Sequence, residues 1–154
     1  MTVHEINIDI AAPYRRRLTQ KWLCEVIDAT LTAQKINNPV ELSLLITGDK
    51  EVHRLNREYR GIDATTDVIS FALSENVADT EFITPPDKIS RLGEVIISYP
   101  RAASQAKENK QTIKAELAWL VVHGLLHLLG YDHQDDKSEA IMRKREDAIL
   151  RKIA

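Results

Sequence analysis

A chain of 154 residues with 44% hydrophobic and 29% charged residues, few aromatics, five Gly and five Pro has the size and make-up of one globular domain over residues 1–154, which excludes disordered and fibrous classes. Its formal net charge of −2 gives no overall basic field, so a nucleic-acid partner has to be held by a local patch. The single Cys24 can form no disulfide within the chain, residues Met1 to Asp9 are charged where a secretory signal is apolar, and the nearly apolar run from Leu117 to Gly130 is too short for a bilayer; a cytoplasmic protein without membrane contact is expected.

Ile6, Ile8 and Ile10 alternate with Asn7 and Asp9, the period of a half-buried strand. Pro13 is read as opening a helical region in which Leu18, Trp22, Val26 and Ile27 recur at helical spacing to about Gln34, before a turn at Asn37, Asn38 and Pro39. Glu41 to Thr47 reads as a second strand. Asp49 then has the position of a helix cap, Val52, Leu55 and Tyr59 follow at helical intervals, and Gly61 stops the helix. Asp67 to Leu73 is taken as a third strand and Leu92 to Ser98, bounded by Pro100, as a fourth. The polar stretch Ser74 to Ser90 between them, with Pro85 and Pro86, is read as a surface loop or flap. Three helices complete the chain: a polar one to about Asn109, a long apolar one from Thr112 to Leu129, and a charged one from about Lys137. Asp136 and Glu139 have capping-box spacing for the last.

This order predicts an α+β fold: a single mixed four-stranded sheet packed with about five helices, because strand-helix-strand connections favour parallel pairing and the late helices supply cover. A metal site is expected at the end of the central apolar helix.

The chemistry concentrates in Val121 to Asp136, VVHGLLHLLGYDHQDD. On a helix His123 and His127 are one turn apart and project within ~40° of each other, so two imidazoles can converge on one ion. Gly130 falls where a left-handed residue ends a helix and reverses the chain, which swings His133 toward the pair. Three neutral imidazoles around zinc leave a fourth position for water, the arrangement of catalytic zinc, and bound water that ionises near pH ~7 makes a nucleophile. The same ligands suit nickel, copper or iron, so zinc is a preference. The competing reading, core histidines bonded to carbonyls, is weakened by three of the five histidines falling at this spacing. Tyr131 and Asp132 either orient ligands or form the turn.

The spacing H-x-x-x-H-x-x-G-x-x-H is that of metzincin proteases, whose general-base Glu follows the first His; Gly124 stands there in this chain. Glu116 lies about 10 Å earlier along the axis, too far to replace it. A zinc metalloprotease-like hydrolase therefore ranks second among enzymes.

HGLLHLLGYDH, from His123 to His133, resembles the H-G-x-L-H-L-x-G-Y-D-H pattern of the YbeY endoribonucleases, bacterial rRNA maturation factors. LNREYRGIDATTDVISF, from Leu55 to Phe71, is similar to a second stretch of that family, and length and element order agree over essentially the whole chain. The resemblance implies a single-strand-specific endoribonuclease acting in small-subunit rRNA 3′-end maturation and ribosome quality control, with zinc on His123, His127 and His133 and an essential arginine at Arg60. It also implies as partners rRNA, the small ribosomal subunit, a small-subunit ribosomal protein and an Era-like GTPase. Arg60 suits that role because a planar guanidinium holds two phosphate oxygens and stabilises charge developing in the transition state; the alternative is a surface arginine favoured by a helix dipole. The chain departs from the family at Ile62, Ala64 and Thr65, where Lys, Lys and Pro are common, at Ala72 after Ser-Phe, and at Glu94 after Gly93. The two absent lysines put affinity or substrate choice in question more than the metal site. Arg15 to Arg17 and Arg143 to Arg145 are further basic clusters, read as solvated helix faces more readily than as RNA contacts. A different class of function, a non-catalytic ribosome assembly factor whose metal staples the loop after the apolar helix, stays open at this point.

Overall fold

A computed structural model describes residues 4–73, 89–131 and 135–153. Four strands, β1 (Glu5–Ile10), β2 (Val40–Thr47), β3 (Val68–Ala72) and β4 (Ser90–Ser98), form one mixed sheet in the order β1-β2-β4-β3. Among the described residues five α-helices stand around it: α1 (Gln20–Ala33), α2 (Asp49–Arg60), α3 (Tyr99–Glu108), α4 (Ile113–Leu128) and α5 (Asp136–Ile153). The expected α+β architecture is what is found. β1 and β4 both run parallel to β2, as crossovers through helices require, and β3 runs antiparallel to β4 along one edge.

The alternation of side chains divides the sheet into two unequal faces. Leu42, Leu44 and Ile46 of β2 and Val95 and Ile97 of β4 look into the main core with α1, α4 and α5. Their neighbours Leu45 and Ile96, with Ile69 and Phe71 of β3, look the other way onto Val52 and Leu55 of α2. α4 packs on β3, β4, α1, α3 and α5. It is apolar nearly all round, with Leu117, Leu120, Val121, Val122, Leu125 and Leu126 buried, as a helix at the centre of a fold must be. Each such side chain contributes about 1.5–3 kcal/mol by leaving water, so the backbone that carries the histidines is among the most firmly held in the molecule.

Several boundaries differ from the sequence reading, each for a local reason. Pro13 sits in a single 3-10 turn, Ala12–Tyr14, and α1 opens only at Gln20, where the Thr19 hydroxyl accepts from the Trp22 amide at 3.1 Å. Tyr14, stacked on Tyr99 with centroids 4.7 Å apart, and Arg15, whose Nε donates to the Ile10 carbonyl at 2.8 Å, hold the intervening segment out of the helix. Gly48, not Asp49, is the cap position of α2; the Asp49 carboxylate accepts from the Ser98 and Thr65 hydroxyls at 2.6 and 3.2 Å and so ties α2 to β4. Asp135, not Asp136, caps α5, accepting from the Ser138 amide at 2.7 Å, and that hydrogen bond holds its carboxyl below the usual range. β4 begins at Ser90, two residues before the expected Leu92. The loop read over Ser74 to Ser90 otherwise lies outside the described residues, as do His133 and Asp132.

Gly93 is fixed by the sheet itself. Between Glu41 and Leu42 the β2–β4 register slips by one residue, and Gly93 follows the slip with φ +133°. A Cβ there would lie 2.0 Å from the Phe71 carbonyl oxygen. No other residue type permits that approach.

Candidate active site

Two of the sequence-derived site residues meet on α4. His123 and His127, one helical turn apart, have ring centroids 4.7 Å from each other with planes at 79°. Both are half-buried. The helix ends as expected just beyond them: Gly130 takes φ +103°, the Gly130 amide donates to the His127 carbonyl at 3.1 Å, and the Tyr131 amide returns to Leu126 at 3.0 Å. This left-handed stop ends the helix just after His127. Tyr131 then accepts from Gln34 Nε2 at 2.8 Å through its hydroxyl, which pins the turn to the end of α1. That favours the turn-forming role of Tyr131 over a ligand-orienting one.

His123 is oriented by a residue from the far end of the chain. Its Nδ1 lies 2.5 Å from Oε2 of Glu146 on α5, and Glu146, only 4% exposed, also accepts from Trp119 Nε1 at 3.3 Å. The Trp119 ring in turn stacks on His123 with centroids 4.9 Å apart. A carboxylate only accepts, so in this hydrogen bond the Nδ1 of His123 is the donor. A buried carboxylate costs several kcal/mol unless positive charge offsets it. An imidazole with a cation on its other nitrogen supplies that charge, and a carboxylate behind a ligating histidine is the usual support of such sites. Two imidazoles a helical turn apart, one of them backed by a carboxylate, are chemically suited to a divalent transition metal.

Sequence reasoning did not reach Glu146, although a signal was present. Met142 precedes it by four residues and Ile149 follows by three, and both are buried. A glutamate on that apolar stripe needs a partner in the core.

Gly124, which removes the protease base, has a second reason to be glycine. A Cβ on it would come within 2.7 Å of Val95 Cγ1 and 3.3 Å of Ser70 Oγ, and Ser70 Oγ donates to the Gly124 carbonyl at 3.1 Å. α4 thus lies directly on β3 and β4 at the turn between the histidines. A glutamate there has no room.

Arg60 is the exposed last residue of α2, whose Val52 and Leu55 pack on the opposite face of the sheet. It makes no hydrogen bond to either histidine, and among the described residues its guanidinium has no carboxylate partner. Gly61 ends the helix with φ +71°. The rest of that sequence motif is scaffold: Asn56, buried, donates from Nδ2 to the Ala64 carbonyl at 2.8 Å, while Asp67 accepts from the Val68 amide at 2.8 Å and from Gln105 at 3.2 Å. These bonds fix the connection from Arg60 to the edge strand β3. Glu116, 3% exposed, takes a hydrogen bond from Gln111, and burial pushes its carboxyl above the ordinary range. It serves the start of α4 and not the histidines.

The family model described as Endoribonuclease YbeY matches residues 6–154. Similar curated proteins include the endoribonuclease YbeY of Dehalococcoides mccartyi (strain CBDB1), 43% identical over 97% of this chain and 93% of that protein, and that of Roseiflexus sp. (strain RS-1), 43% identical over 96% and 92%. The solution structure of TM1509 from Thermotoga maritima superposes with a TM-score of 0.64 at 26% identity, covering 96% of this chain and 88% of that one. Fold, sequence and family model agree over nearly the full length, and the chain belongs to the YbeY endoribonuclease family.

Proposed function

We propose that this protein is a single-strand-specific, metal-dependent endoribonuclease working in small-subunit rRNA 3′-end maturation and ribosome quality control. The reading rests on one observation above others: in a chain of an endoribonuclease family, His123 and His127 stand side by side with the Nδ1 of His123 held by buried Glu146. His123, His127 and His133 would hold the ion, with zinc preferred. When bound, such an ion supplies Lewis acidity at a phosphodiester oxygen.

The protein's own groups do the rest. Glu146 keeps the Nδ1 proton in place and fixes the ring plane of His123, with Trp119 closing the stack. Gly124 offers no carboxylate to take a proton from a nucleophile, which counts against peptide hydrolysis by the protease route. Arg60, on a connection anchored by Asn56 and Asp67, clamps the scissile phosphate and stabilises its developing charge. RNA is the substrate; the small subunit, one of its ribosomal proteins and an Era-like GTPase are the proposed partners, and the cytoplasm the proposed compartment.

The test is cleavage of an rRNA 3′-end fragment by purified protein with metal content measured in parallel, for wild type, His123→Ala and Arg60→Ala. Cutting by wild type and loss in both variants is expected. Protein loaded with metal that leaves RNA intact supports instead a stapled assembly factor.

A further inference from the structure

The start of α4 carries a second feature, at the opposite end of that helix from the histidines. A cleft of about 470 Å³ opens where the segment before α1 meets the first turn of α4, lined by Arg16, Arg17, Lys114, Trp22 and Tyr99 with apolar neighbours. The fold brings Arg16 and Arg17 together with Lys114 across almost a hundred residues of sequence. The basic triplet divides by role: Arg15 is spent on the Ile10 carbonyl, whereas Arg16 and Arg17 are exposed and among the described residues have no carboxylate partner. Lys114 Nζ lies 5.0 Å from the centre of the Trp22 ring. Among the described residues no acidic side chain lines this cleft, in a chain whose net charge is −2. Two helix starts border it as well, those of α1 and α4, and their amide ends add positive potential.

Trp22 and Lys114 also line a neighbouring cavity of about 790 Å³ that reaches Trp119, the residue stacked on His123. Along α4, Lys114 and His123 are about 13 Å apart, the span of a few nucleotides. Asp147 and Glu116 line the middle portion, so charge alone does not carry a strand across it. The indoles of Trp22 and Trp119 offer flat surfaces there, and stacking on aromatic rings with cations along the backbone is how single strands are held without regard to sequence.

We propose that the cleft at the starts of α1 and α4 is a subsite for single-stranded RNA remote from the reacting bond, with Arg16, Arg17 and Lys114 on backbone phosphates and Trp22 under a base. The proposal rests on RNA being the substrate. It places positive charge for backbone phosphates away from the connection that follows Arg60, where Ile62 and Ala64 are uncharged.

The experiment compares KM for oligoribonucleotides of about four and about sixteen nucleotides across a salt series, for wild type, for Arg16→Ala/Arg17→Ala/Lys114→Ala, and for Arg16→Lys/Arg17→Lys. The alanine variant is expected to raise KM for the long oligomer roughly tenfold at low salt and to reduce the slope of log affinity against log salt by about 2. Its kcat/KM for the short oligomer stays at the wild-type value, and the lysine variant keeps most of the long-oligomer affinity. In wild type alone, the long oligomer shows the steeper salt slope, which needs no variant to fold. Wild type cutting both lengths with one KM and one slope overturns the subsite and leaves the endoribonuclease reading intact. Wild type that cuts neither length, with metal present, removes both.

Discussion

The helices on the two faces of the sheet hold the candidate functional residues in opposite ways. On the α4 side, His123 is wedged by Trp119 and hydrogen-bonded to a carboxylate that is itself 4% exposed. On the α2 side, Arg60 is exposed at a helix end, and what is fixed is the loop behind it, through Asn56 and Asp67. A ligand set must be preorganised to a fraction of an ångström, which burial provides. A phosphate clamp needs reach and charge, which an exposed arginine provides. Substitutions on the first side should therefore disturb metal, stability and catalysis together, and those on the second catalysis alone.

The largest effect is expected for His123→Ala. Cleavage of single-stranded RNA should fall by about 10³-fold, matching the several kcal/mol of charge stabilisation that a bound ion supplies, and metal content measured by atomic absorption should fall with it. Arg60→Ala should lower kcat by about 10²-fold while metal content stays intact and stability shifts by no more than about 0.5 kcal/mol. A loss of metal in that variant would erase the distinction between the two faces. Glu146→Gln should weaken metal affinity about 10–100-fold in a competition titration, because an amide offers His123 a weaker acceptor. Unchanged affinity would demote Glu146 to packing.

Smaller effects concern the scaffold. Gly124→Ala places a Cβ 2.7 Å from Val95 Cγ1 and should cost about 1–3 kcal/mol in urea unfolding. Glu116 tests burial without touching either site. Its folded-state pKa is raised by desolvation, so its contribution is fully present below the ordinary glutamate value and is lost as pH rises through the folded one. Glu116→Gln should flatten the stability curve over that interval and gain relative to wild type above it. Parallel curves would show that the carboxyl is solvated after all.

Much of this was legible in one dimension, and the reasons for the remainder are physical. The alternation of Ile6, Ile8 and Ile10 and the apolar run through α4 report burial directly, so strands and central helix could be placed. His123 and His127 stood out because a one-turn spacing is itself a geometric statement. Glu146 did not, since its partner is 23 residues away and a glutamate in a charged helix draws no notice until the helix is seen to bury Met142 and Ile149. The helix starts differ for a local reason: Thr19 and Asp135 each accept from the amide three residues on, so α1 begins well after Pro13 and α5 is capped one residue before Asp136. Nor does the sequence say that α2, which ends at Arg60, and α4, which carries the histidines, pack on opposite faces of one sheet, as the two sets of buried residues show.

The most direct test of the account is RNA cleavage by the purified wild-type protein before chelation, after it, and after zinc is restored, with thermal melting followed on the same samples. Activity should vanish on chelation and return with zinc, and stability should rise by about 2.7 kcal/mol at a metal concentration one hundred times Kd. RNA cleavage that continues undiminished in metal-free protein would contradict a centre built on His123 and His127.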